Sequence, residues 1–187
     1  GVGLSREMVT VISCELPLVL VLLAVGKAVG GDSVTFSFSA ISAWQLENGS
    51  LITRAGLIPA ALAMLLVIPG ETGSHPFDTA EAETEICEGL LAEYSGGPLA
   101  VYKLSHAVKL LTMSSLFVAL FLGGVGTGVI ALDAVILFAL CTVIVAIFVS
   151  LVHAVTARLK IEQVFKYYWT VVTALAAISL VLVWYGL

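Results

Sequence analysis

Residues 128–152 read GVIALDAVILFALCTVIVAIFVSLV, a stretch whose one formal charge is Asp133. A helix of about 20 apolar residues spans the hydrocarbon core of a bilayer and satisfies its own peptide hydrogen bonds there, which an isolated strand or loop cannot do. The stretch therefore predicts a membrane helix. Working outward, four more runs of the same kind lie at about 8–30, 51–69, 99–123 and 165–187, and none shows the alternation, about ten residues long, of a membrane barrel strand. The expected fold class is all-α: a polytopic transmembrane helical bundle of about five spans, forming one membrane domain over residues 1–187 with a polar loop at 70–98.

Composition agrees. Hydrophobic residues make up 60% of the chain and charged residues 11%, against roughly a quarter charged in a soluble domain. Little chain remains for a soluble domain beside the spans. The net charge of -5, without any cluster of Lys and Arg, excludes nucleic acid as a partner. The bilayer is the partner that composition names. Cys14, Cys87 and Cys141 lie far apart with no CxxC or Cys/His spacing, so they read as small packing residues rather than as a disulfide framework or metal site. The chain opens Gly1-Val2-Gly3 with no signal-peptide pattern, and it is expected to begin within a longer protein.

Punctuation between the runs sets the topology. Gly30-Gly31-Asp32-Ser33 ends the first span, the stretch to Asn48-Gly49 reads as an external loop with a short interfacial helix at Trp44, and Gly123-Gly124-Val125-Gly126 turns the third span into the fourth. Five spans put Arg6, Lys103, Arg158, Lys160 and Lys166 on the side of the 70–98 loop and only Lys27 and Arg54 on the other, so the positive-inside rule makes the loop cytoplasmic. Tyr94, Tyr102, Tyr167, Tyr168 and Trp169 are expected in interfacial belts.

Seven of the thirteen acids fall in that loop: Glu71, Asp78, Glu81, Glu83, Glu85, Glu88 and Glu93. Pro76 breaks the preceding structure, and Asp78 with Glu81 three residues on predicts a helix start, which places Asp78, Glu81, Glu85 and Glu88 near one face. Crowded carboxylates in a desolvated place share protons; exposed ones form a solvated acidic surface or pair with basic groups of a partner. Ionisable residues inside spans are costly and mark a cavity or ion path by default. Glu15 lies in the first span beside Pro17, a residue that kinks helices, and His106 and Lys109 lie three apart in the third. Asp133 reads equally as a first-turn acid stabilised by the helix dipole. No Ser/His/Asp or Cys/His arrangement accompanies His75, His106 or His153, and no GxxxxGK[ST] or GxGxxG loop is present, so hydrolysis and nucleotide binding are not expected.

The segment ETGSHPFDTAEAETEICEGLLAEYSG, residues 71–96, resembles the signature loop of the complex I subunit-1 (H-type) family. SREMVTVISCELPLVL at 5–20 and ARLKIEQVFKYYWTVV at 157–172 resemble further segments of that family, so the likeness covers nearly the whole chain. EYSGGPLAVYKLSHAVK at 93–109 is most similar to the M-type membrane subunit of archaeal membrane-bound, energy-converting nickel–iron hydrogenases and their sulfur-reducing relatives. The resemblance implies a membrane heel subunit that holds hydrogenase large and small subunits against antiporter-like membrane subunits and couples ferredoxin-driven electron transfer to proton or sodium movement. It implies no cofactor in this chain, the nickel–iron centre and iron–sulfur clusters belonging to partner subunits. Glu15, Glu71, Asp78, Glu81, Glu83, Glu85 and Glu93 match acidic positions of the family pattern, with Glu88 and Lys109 beside them and Arg6, Lys103, His106, Asp133 and Arg158 as accessory groups. In complex I an Asn-Arg pair precedes the PFD segment, where this chain has Gly73-Ser74. That departure weighs against a quinone site and leaves a quinone-linked subunit, together with a passive membrane anchor, as the alternatives. The family's early spans have no counterpart here and are expected on a missing segment or a separate polypeptide.

Overall fold

Apolar chain that must bury its own peptide groups coils wherever no proline or glycine interrupts it, and the interruptions here set the element boundaries. The computed structural model describes residues 2–31, 33–74, 76–78, 94–123, 130–147, 154 and 159–186. Helix α1, Val2–Gly30, runs unbroken through Pro17. It stops at Gly31, whose φ of 61° suits a residue without Cβ. Helix α2, Phe38–Asn48, is the short helix expected around Trp44 and is closed by the Gly49 N–H donating to the Gln45 carbonyl at 2.8 Å.

The run at 51–69 differs from expectation. Residues Leu51–Thr53 and Ala55–Leu57 form two 3-10 turns, and α3 occupies Ile58–Glu71. Pro59 suits the late start, because in the first helical turn its missing N–H forgoes no helical hydrogen bond. Helix α4 is Gly97–Phe121 and α5 is Ile130–Ile144. A final rod consists of α6, Ile161–Tyr167, a π-helical turn at Tyr168–Val172, and α7, Thr173–Trp184. Its start is fixed by the Gln163 side chain, which accepts the Lys160 backbone N–H at 3.0 Å. Among the described residues, three helices are long and apolar enough to cross a membrane, Ser5–Gly30, Gly97–Phe121 and Ile161–Trp184, with shorter apolar helices at Ala55–Glu71 and Ala131–Ile147. The chain is an all-α, multi-pass membrane bundle.

Helices α1, α3 and α7 pack on one another and form its core. Ala24 on α1, Ala60 and Ala63 on α3 and Ala176 on α7 are fully buried, and such small residues let backbones approach closely where lipid offers no hydrophobic drive. Tyr168 corrects the expectation of an interfacial ring: it is fully buried, and its hydroxyl donates to the Leu66 carbonyl at 3.0 Å. The π-helical turn that begins at Tyr168 changes the register of the rod there, with the Thr173 hydroxyl donating to the Tyr168 carbonyl at 2.8 Å. Helix α4 packs against α3 and carries α5 and α2. Buried Gln45 pins α2 by donating to the Ala119 and Leu120 carbonyls, both at 3.0 Å, in the last turn of α4.

Candidate functional site

Where α3 ends, its chain turns sharply and stays tied down. Thr72 donates through Oγ1 to the Ile68 carbonyl at 2.9 Å, the Ser74 N–H reaches the Pro69 carbonyl at 2.9 Å, and the Phe77 N–H reaches the Ser74 carbonyl at 2.9 Å. Gly73 sits at φ 63°, a left-handed position that glycine and asparagine both accept. Half of the departure from the Asn-Arg pattern is therefore conformationally mild; the lost cation belongs to Ser74. The Leu159 N–H bonds the Pro76 carbonyl at 3.2 Å, and the buried Phe77 ring lies 5.9 Å from Tyr167 and 5.1 Å from Tyr168, centroid to centroid. The turn is thereby locked onto the final rod.

Beside this turn a cavity of about 210 Å³ opens between α1, the end of α3 and α4. Its acids are Glu7, Glu71 and Asp78; its nitrogen groups are His106 and Lys109. Thr10, Tyr102 and Ser105 add hydroxyls. The 3.6-residue period brings Tyr102, His106 and Lys109 to one face of α4, and Glu7 and Thr10 to one face of α1.

Glu71, the last residue of α3, is the centre of the site. Its Oε1 pairs with Lys109 Nζ at 3.1 Å, the carboxylate side chain being 14% exposed and the lysine 43%. Its Oε2 is buried and has no hydrogen-bond partner among the described residues. One oxygen is thus held by a cation while the other remains to receive a proton, a water or a small cation. Just behind Glu71, Gly70 leaves room for the Tyr168 hydroxyl and the Cys14 sulfur; a Cβ at Gly70 would collide with both.

The structure brings together Glu71, Asp78, His106 and Lys109 of the residues expected from sequence, and it separates others from them. Glu15 is exposed, one residue and so about 100° around α1 from buried Cys14. It shares its face with exposed Ile12 and Val19. Lys103 is exposed on α4 outside the cavity lining, and Arg6 is half-buried one residue before Glu7. Asp133, in the first turn of α5, lines a separate hollow with Phe38, Leu122 and Gly123. Glu81, Glu83, Glu85, Glu88, Glu93 and Arg158 lie outside the described residues, as does the helix expected to start at Asp78. Glu7, Thr10 and Tyr102 were not foreseen. The signal for Glu7 was the spacing 7, 10, 14 on α1, a single helical face that leads to Cys14. Among the described residues no three His, Cys, Asp or Glu side chains group to hold a metal ion.

Comparison with known proteins gives this site a context. A family model described as NADH dehydrogenase matches residues 1–184. Hydrogenase-4 component C of Escherichia coli (strain K12) is 40% identical over 123 residues, covering 65% of this chain and 37% of that protein. The H-type subunit of the NADH-quinone oxidoreductase of Dehalococcoides mccartyi is 32% identical over 183 residues, 96% of this chain and 48% of its own length. The chain thus spans less than half the length of these two relatives. Among solved structures, a chain of the membrane-bound sulfane sulfur reductase, an archaeal respiratory membrane complex, superposes with a TM-score of 0.87 at 29% identity, over 98% of this chain and 60% of that one.

Proposed function

The chain belongs to the NADH dehydrogenase family, the subunit-1 (H-type) family of complex I, and from that premise we propose that it is the membrane heel subunit of a ferredoxin-dependent, energy-converting hydrogenase complex. In this reading it carries no cofactor. It anchors the hydrogenase large and small subunits, whose nickel–iron and iron–sulfur centres do the redox chemistry, and passes the consequence of electron transfer to antiporter-like membrane subunits. The acidic loop faces the cytoplasm, as the distribution of Lys and Arg supports.

The observation that carries the proposal is Glu71, which lines a polar cavity, is held by Lys109 through one oxygen, and has its other oxygen buried without a partner among the described residues. Lys109 and the turn at 72–78 hold Glu71 from two sides, so in this proposal a shift of either remakes the contacts of its carboxylate. Glu7, Asp78 and His106 stand at the same cavity as acceptors and donors for what Glu71 gives up. Glu81, Glu83, Glu85, Glu88 and Glu93 continue the acidic run in sequence and extend the same path in this proposal.

Glu71→Gln tests it. Hydrogen evolution by the detergent-solubilised complex is expected to stay within about twofold of the parent, while the ion gradient formed in proteoliposomes falls at least about tenfold, the scale of one lost proton-transfer group. Loss of the peripheral subunits from the variant membranes would instead support a passive anchor. Repeating the gradient measurement with and without sodium separates proton from sodium movement. A quinone-linked role is favoured by the match to the H-type relative over nearly the whole chain. Inhibition of electron flow by a quinone analogue would establish it; insensitivity agrees with Ser74 standing where that pattern has its arginine.

A further inference from the structure

The end of the bundle opposite the acidic turn holds a second, differently charged hollow of about 320 Å³. It lies where α1 and α7 terminate and where the 3-10 turns lead into α3, and it is lined by Lys27, Arg54, Trp184 and the glycines 31 and 186. Lys27 Nζ lies 4.9 Å from the Trp184 ring centroid and donates to the Gly31 carbonyl, and the Arg54 guanidinium carbon lies 4.5 Å from the Trp44 ring centroid. Ring faces hold the two cations over the hollow without neutralising them. Among the described residues neither faces a carboxylate within ion-pair distance; Asp32, close in sequence, lies outside them.

Capping the negative end of α1 is a sufficient structural task for Lys27, but it uses one of three ammonium donors and gives Arg54 no task. Gly31 and Gly186 leave the floor bare: a Cβ at either position meets nothing within 4 Å. Two cations at the tips of two spanning helices, flanked by tryptophans, match the phosphate head of a membrane lipid at the bilayer interface.

We propose that Lys27 and Arg54 form a binding site for the phosphate of an anionic membrane lipid, whose acyl chains lie in the bilayer. The guanidinium and ammonium supply charge-assisted donors to the phosphate oxygens. Free phosphate lacks the acyl chain and is held weakly by comparison.

The test uses the chain with its native partners, reconstituted into phosphatidylcholine nanodiscs doped with phosphatidylglycerol and examined by native mass spectrometry and thermal unfolding. The parent is expected to retain phosphatidylglycerol selectively and to melt higher with it. Arg54→Gln, at an exposed position, is expected to weaken retention about tenfold, the scale of one charge-assisted contact, and Lys27→Met/Arg54→Gln to abolish the selectivity. If the double variant does not assemble, Arg54→Gln alone decides. Equal retention by parent and variant, equal retention of phosphatidylcholine, or the same stabilisation by inorganic phosphate alone would each overturn the proposal.

Discussion

Gly70 is the place where one missing carbon atom decides the geometry of the cavity wall. Because the Tyr168 hydroxyl and the Cys14 sulfur occupy the space a side chain would need, Gly70→Ala is expected to destabilise the chain by about 1–3 kcal/mol, the usual cost of overpacking. Thermal unfolding in detergent measures it. Tyr168→Phe removes one of the three colliding atoms and leaves the ring carbon and the Cys14 sulfur, so Gly70→Ala is expected to stay destabilising in that background by a smaller amount than in the parent; no loss in either background would contradict the contact. Glu71 is one residue further and shows the opposite economy, with one oxygen committed to Lys109 and one uncommitted. That asymmetry makes Glu71→Gln a test of coupling more than of folding.

At the scale of elements, α2 is tied to α4 by one buried polar side chain. Gln45 satisfies two carbonyls in the last turn of α4, where helix geometry leaves acceptors without donors. Gln45→Leu is expected to cost about 1–3 kcal/mol, because both acceptors stay buried. Faster hydrogen exchange confined to Phe38–Asn48 and the end of α4 would confirm it, and unchanged exchange would contradict it. The final rod works differently: Gln163 starts it, the π-helical turn redirects it at Tyr168, and Phe77 fastens the acidic turn to it. The turn and a spanning helix are therefore in direct contact.

Among the described residues two charged hollows stand at opposite ends of the bundle, one lined by acids with Lys109 and the other by Lys27 with Arg54. A carboxylate as shielded as Glu71 is screened little by mobile ions, whereas exposed acids docking a basic partner are screened strongly once the Debye length falls to about 3 Å near 1 M salt. For the complex in proteoliposomes, the number of ions moved per electron pair is expected to stay constant as salt rises, even where peripheral subunits begin to dissociate and total activity falls. A ratio that declines in step with ionic strength would favour simple docking.

The helical membrane class, the short helix at Trp44, the acidic turn and the pairing of His106 with Lys109 on one helix face were all legible in the chain, because apolar length and helical period are local properties. The family likeness was legible for the same reason, in continuous motifs. Which acids meet was not. Glu15, expected as a path residue inside a span, lies about 100° around α1 from Cys14 and outside this cavity, while Glu7, unremarked in sequence, lines it. Tyr168 looked like a belt aromatic, yet the rod packed it inward. A helix's own sequence sets its period but not which of its faces its neighbours cover; that depends on contacts between residues as distant in sequence as Tyr168 and Leu66, and only the packed bundle decides them.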